Sequence, residues 1–185
     1  MNIILMGHRC TGKTSAGRRL AERMVLPFYD TDALVERHTG RTIPQIVAEQ
    51  GWQAFREAET MVILGLYGVD QSVIALGGGA LLDVRNVEIL KRNGLFVWLF
   101  AAPETIAARM EKDVATGAER PSLTDKSSTD EMNVIMTQRE PLYRRLADLA
   151  VDTTRIETDR VVEAIQNGLR EAILRTDKII EGKEN

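Results

Sequence analysis

The sequence predicts an α/β domain built on a mostly parallel sheet, and three observations carry that reading. Short apolar runs alternate with longer stretches of helical period, a glycine-rich turn joins the first run to the first helix, and no repeat or low-complexity block interrupts the series. At 185 residues, the chain has the length of one domain around one core.

Asn2 to Met6 is a short apolar run, too short for a membrane span and without the basic start of a signal peptide, so it reads as the first strand. Lys13 to Met24 follows with helical period. Pro27 to Asp30, Ser72 to Leu76, Leu95 to Phe100 and Leu149 to Asp152 complete the set of five strands, each bounded by Gly, Pro or acidic residues. Between them Asp32 to Thr39, Ile43 to Leu66, Val84 to Arg92, Pro103 to Asp113, Asp130 to Leu146 and Thr158 to Leu174 read as helices. Pro103 sits where a first helical turn tolerates it. Residues 114–129, with Gly117, Pro121 and the Ser127-Ser128-Thr129 cluster, read as a mobile lid loop, or else a disordered insertion. The charged tail, 176–185, is expected to fray.

The composition excludes several classes of function. Lys plus Arg total 24 against 27 Asp plus Glu, a net charge of -3, so no basic field invites nucleic acid. With 44% apolar and 28% charged residues, the chain is neither disordered nor a disulfide-stapled miniprotein. Cys10 is the only cysteine, which rules out an internal disulfide and suits a reducing compartment. The expectation is a cytoplasmic monomer without nucleic-acid or membrane partners.

Gly7-His8-Arg9-Cys10-Thr11-Gly12-Lys13-Thr14 satisfies G-x-x-x-x-G-K-[ST] between a strand and a helix at the start of the chain. Such a loop curls backbone N–H groups around phosphates at a helix N-terminus, so Gly7, Arg9, Cys10, Thr11, Gly12, Lys13, Thr14 and Ser15 are the candidate ATP-binding residues. Lys13 would reach the β and γ oxygens and the Thr14 hydroxyl would bind Mg²⁺. The same positive surroundings predict a reactive thiolate at Cys10, with a buried, inert thiol as the other reading.

Downstream pieces suggest the acceptor. Asp30-Thr31-Asp32 ends the second strand beside the cradle; one carboxylate could hold magnesium water and the other accept a hydroxyl proton, or either could cap the helix that follows. Arg56 and Glu59 stand three apart on a helix, either a fixed fork for a substrate carboxylate or a surface pair. Gly77-Gly78-Gly79 after the third strand allows a ligand to lie against bare backbone. Arg120-Pro121 falls in the lid, and Arg139-Glu140-Pro141-Leu142-Tyr143 on the helix behind it.

In this order, from Gly7 to about Arg155, these motifs resemble the shikimate kinase family. The resemblance implies a three-layer P-loop fold of the nucleoside-monophosphate-kinase type, with a five-stranded parallel sheet, a substrate-binding helical region near 32–67 and a lid. It implies transfer of the γ-phosphate of ATP, with Mg²⁺, to the 3-hydroxyl of shikimate on the route to chorismate and the aromatic amino acids. Residue by residue, Asp32 becomes the ring-hydroxyl ligand and catalytic base, and Asp30 the magnesium ligand through water. Arg56 and Arg139 become the carboxylate clamp, and Gly77, Gly78 and Gly79 the backbone contacts. Lys13 and Arg120 act on the transferring phosphoryl group, and Arg155 lies near the adenine.

The sequence departs from the family pattern in two places. Cys10 stands where family P-loops usually carry glycine, which predicts strain if the position needs a positive φ. Ser122-Leu123 follows Arg-Pro where Leu-Leu is frequent. A gluconate or other hydroxy-acid kinase of the same fold would use the same arginines and Asp32. A nucleotide-binding regulator without turnover would keep the cradle alone.

Overall fold

The computed structural model describes residues 1–115 and 128–181, with side chains over 1–113 and 133–171. Its five strands are all parallel: β1 (Asn2–Met6), β2 (Phe28–Asp30), β3 (Val73–Ala75), β4 (Gly94–Phe100) and β5 (Leu149–Asp152). They lie in the order β2-β3-β1-β4-β5, with β1 central and buried along its whole length. Parallel strands require crossovers, and the helices supply them: α1 (Lys13–Met24), α2 (Thr31–Thr39), α3 (Ile43–Gly65), α4 (Val84–Lys91), α5 (Pro103–Ala115), α6 (Ser128–Leu146) and α7 (Thr158–Glu181).

The alternation of side chains along β1 divides the core in two. Ile3 and Leu5 face one side, packing with Leu20 of α1 and Val162 and Ile165 of α7. Ile4 and Met6 face the other, packing with Ile63, Leu90, Phe96 and Leu146. A strand buried on both faces reads as a continuous apolar run rather than an alternating one. A smaller cluster of Val35, Ile43, Ile46 and Phe55 holds α2 against α3, outside the sheet layers.

Strand and helix ends match the sequence expectation to within two residues, except at the C-terminus. There α7 continues to Glu181 instead of ending at Leu174, because 175–181 contains neither Gly nor Pro and nothing in it stops a helix. Two local features escaped sequence reasoning. Ala80–Leu82 forms a 3-10 turn, and Gly51 (φ 83°) breaks α3 into two helical segments. Among the described residues no helix is long and apolar enough to cross a membrane.

This strand order sets the carboxyl ends of β2, β3 and β1 side by side. The loops leaving them carry Asp30, the glycine triplet and the phosphate cradle.

Candidate active site

The cradle forms as its motif requires. Gly12 takes φ 89° and caps α1 without any side-chain hydrogen bond, so the N–H groups of the first turn meet the cavity rather than a side chain. Thr11 Oγ1 donates to the His8 carbonyl at 2.8 Å, and the Lys13 ammonium donates to the same oxygen. The carbonyl therefore presets the lysine across the mouth of the loop.

Cys10 adopts φ 61°, the left-handed backbone that its departure from glycine foreshadowed. A residue with a β-carbon stores about 1 kcal/mol of strain there. Contacts on both sides hold it: Cys10 Sγ donates to Asp113 Oδ2 at 3.3 Å, and Arg109 Nη1 donates to the Cys10 carbonyl at 3.1 Å. Burial pushes the thiol up to about 11, with the Asp113 carboxylate adding to the shift against Arg9 and Lys13. Of the two readings of Cys10, these surroundings favour the buried, inert thiol. The helix N-terminus and the nearby cations are outweighed by desolvation and an acidic neighbour that α5 delivers from about a hundred residues downstream.

A cavity of about 610 Å³ opens in front of the loop, lined by residues 9–16 together with Asp30, Asp32, Arg109, Asp113, Thr153 and 156–158. Arg109 was invisible in the sequence. It donates to Thr153 O at 2.6 Å as well as to Cys10 O, tying the cradle to the loop after β5. Arg155 is exposed in the loop whose Thr153 and Ile156 line the cavity.

Asp30 takes the capping role and also meets the cradle. Oδ1 accepts from the backbone N–H of Asp32 at 3.0 Å and Ala33 at 3.3 Å, capping α2. Oδ2 accepts from the Thr14 hydroxyl at 2.7 Å. A hydroxyl and a carboxylate oxygen at the phosphate end of the cavity are hard donors of the kind that Mg²⁺ takes, so the residues fit that ion. The strand ends at Asp30, so Asp32 lies in the first turn of α2, half-buried and lining the same cavity.

The acid-binding side is built from α3, α6 and the glycine triplet. Arg56 Nη1 meets Glu59 Oε2 at 2.5 Å, with Glu59 only 1% exposed. This is no surface pair. The guanidinium lies 4.9 Å from the Phe55 ring and 5.7 Å from the Trp52 ring, so stacking fixes its plane. Burial raises the Glu59 carboxyl above its ordinary value, with Arg56 opposing the shift and Asp32 adding to it. Glu59 Oε1 is buried with no hydrogen-bond partner, a polar atom facing the site.

The glycines are there to make room. A β-carbon on Gly77 would come within 2.5 Å of Glu59 Oε1 and 2.6 Å of Asp32 Oδ1, and one on Gly79 within 2.6 Å of Arg56 Cζ. A β-carbon on Gly78, in contrast, would lie 3.6 Å from both Arg139 Nη1 and the Arg9 nitrogen, an ordinary contact. Arg139 Nη1 donates to the Gly78 carbonyl at 2.9 Å. Burial lowers the Arg139 guanidinium below its ordinary value, opposed by Tyr143 and reinforced by Arg56. His8, 8% exposed, is pushed down to about 3 by burial, with the Arg139 and Lys13 charges adding to it. Arg120 and nearly all of the stretch expected as a lid lie outside the described residues.

Comparison with known proteins agrees with this geometry. The family model for shikimate kinase matches residues 9–170. The shikimate kinase of Syntrophus aciditrophicus is 46% identical over 172 residues, covering 89% of this chain and 88% of that one. The shikimate kinase of Rhodopirellula baltica is 36% identical, covering 95% and 94%. Among solved structures, shikimate kinase from Acinetobacter baumannii in complex with shikimate superposes with a TM-score of 0.85 at 33% identity, covering 92% of this chain and 93% of that one. Similarity of this extent reaches past the cradle to the arginines and glycines on its far side, and the chain belongs to the shikimate kinase family.

Proposed function

We infer that the chain transfers the γ-phosphoryl group of ATP to the 3-hydroxyl of shikimate. One observation carries the reading: the phosphate cradle and two arginines meet at the glycine triplet, with the Arg9 backbone nitrogen and Arg139 against Gly78 and the Arg56 guanidinium against Gly79. A phosphoryl donor and a carboxylated acceptor held from those two sides meet in a single cavity.

Arg56, with its plane set by Glu59 and the Phe55 and Trp52 rings, offers a rigid fork to the acid's carboxylate, and Arg139 closes on it from α6. Asp32, half-buried at the cavity wall, holds the ring hydroxyls and takes the proton of the attacking one. Bare backbone at Gly78 leaves space for the ring. On the nucleotide side, the amides of the α1 N-terminus and Lys13 would surround the phosphates, and Thr14 and Asp30 would hold Mg²⁺, which would supply charge neutralisation at the γ-phosphoryl group. Arg120 contributes a further positive charge there, and Arg109 with Ile156 forms the wall for the base. A cytoplasmic monomer completes the reading.

The test follows ADP release from MgATP with shikimate, gluconate, quinate or AMP as acceptor. Shikimate alone should support rapid turnover. Faster release with gluconate would assign a different hydroxy acid, and no release with any acceptor would leave a nucleotide-binding regulator.

A further inference from the structure

Tyr143 belongs to no role described so far, yet it sits where the two halves of the site join. It lies on α6, one helical turn after Arg139, with 2% of its surface exposed. Its hydroxyl donates to the Gly78 carbonyl, the same oxygen that takes Arg139 Nη1 at 2.9 Å. That hydroxyl also interacts with the Arg139 guanidinium. The ring stands edge-on to His8 of the cradle at 5.5 Å between centroids, at an interplanar angle of 83°, and packs against Trp98 of β4 at 6.4 Å.

A phenol that shares the Gly78 carbonyl with Arg139 and lies beside its guanidinium restrains both groups. Without it the Gly78 carbonyl keeps a single donor on a flexible side chain, and the peptide joining two glycines has little of its own to resist rotation. The Arg139 guanidinium likewise loses an anchor that faces away from the ligand. We propose that Tyr143 is a positioning residue for the acid substrate: its hydroxyl sets the orientation of the Gly78 peptide and of the Arg139 fork before the substrate arrives. The proposal rests on the reading of Gly78 and Arg139 as the acid-binding side. The hydroxyl bonds the Gly78 carbonyl and lies by Arg139, whereas the side chains of Lys13 and Thr14 donate to His8 and Asp30, so removing the hydroxyl acts first on the acid side.

The test is Tyr143→Phe, which keeps the ring and its packing and deletes only the hydroxyl. Steady-state constants for shikimate and for ATP are measured together with MgADP affinity and thermal unfolding. We expect KM for shikimate to rise roughly tenfold, the scale of losing one oriented polar contact in a partly buried site, with kcat and the ATP constants within threefold of the parent. In an Arg139→Ala background the same substitution should change shikimate affinity by much less than tenfold, because the fork that it positions has gone. Unchanged KM for shikimate with a lowered melting temperature would mean that the hydroxyl only stabilises the fold, and the proposal would fail. Equal losses toward shikimate and ATP would overturn it too. Should Tyr143→Phe not fold, an unnatural para-fluorophenylalanine at 143, matched to the ring's size, replaces it with the same expected outcomes. Failure of the acid-binding reading is separate, since it would appear as Arg139→Ala alone binding shikimate as tightly as the parent.

Discussion

Gly79→Ala is the sharpest perturbation that the geometry offers. The added methyl would lie 2.6 Å from Arg56 Cζ and closer still to Nη2, where ordinary contact begins at 3.4 Å, so the guanidinium must retreat by about 1 Å. It has little freedom to do so. Glu59 holds Nη1 at 2.5 Å from one direction, and the Phe55 and Trp52 rings hold the plane at 4.9 and 5.7 Å. The displacement therefore either breaks the pair, stranding a carboxylate that is 1% exposed, or tilts the fork away from the acid. A 1 Å misplacement of a substrate-positioning group can cost on the order of 100-fold in rate. Gly79→Ala should thus lower kcat/KM for shikimate by up to about that factor and weaken shikimate binding in calorimetry, while MgADP affinity, which depends on the cradle, stays at the parent value. Gly78→Ala is the control for folding: its methyl meets nothing closer than 3.6 Å, so its melting temperature should match the parent even though the methyl occupies substrate space. If Gly79→Ala bound shikimate as tightly as the parent, Arg56 would not be the carboxylate ligand, and the reasoning from close approach would be refuted.

Other outcomes follow from the same coordinates. Lys13→Ala should abolish ADP release and leave thermal unfolding near that of the parent, as the residue sits at the junction of the cradle and α1 rather than in the apolar core; near-normal turnover would contradict the cradle assignment. Cys10, with its thiol held up near 11 and donating to Asp113, should react with iodoacetamide at pH 7.5 far more slowly than free cysteine, and Asp113→Asn should accelerate it; mass spectrometry follows both, and a rate above that of free cysteine would contradict the burial argument. His8 ties stability to pH. Its folded value of about 3 lies below the ordinary 6.5, so between these the unfolded chain binds a proton that the folded chain refuses, and stability falls as pH drops through that window. Urea unfolding at pH 7 and pH 4.5 should show a smaller difference for His8→Gln than for the parent, and an equal difference would assign the acid sensitivity elsewhere.

Much of the fold was legible because apolar runs and turn residues are local signals. β1 and α1 lie where the run Ile3 to Met6 and the Gly-Lys-Thr junction put them. Local signals also located Asp30, Thr14 and Lys13, which act within a few residues of their own strand or helix ends. What could not be read was whatever one segment does to another. Whether Arg56–Glu59 was a surface pair or a buried fork depended on Phe55, Trp52 and Gly79 closing around it, and spacing on a helix does not report burial. Spacing could not weigh the Cys10 thiol's acidic neighbour, because Asp113 reaches it from α5. Arg109 carries no motif, since its partners Cys10 O and Thr153 O are backbone atoms supplied by two distant loops. Gly51 gave a weak sign of its break in α3, a glycine inside a helical pattern, but only its φ of 83° identifies a kink.

The central claim is that two arginines from different helices hold the acid's carboxylate next to the phosphate cradle. Titrating shikimate into the parent, Arg56→Ala and Arg139→Ala in the presence of MgADP tests it most directly. Each substitution should cost about 2 to 5 kcal/mol of shikimate binding, the range for truncating one partner of a desolvated charge pair, with MgADP affinity preserved. Shikimate affinity equal to the parent's in both variants would contradict the account.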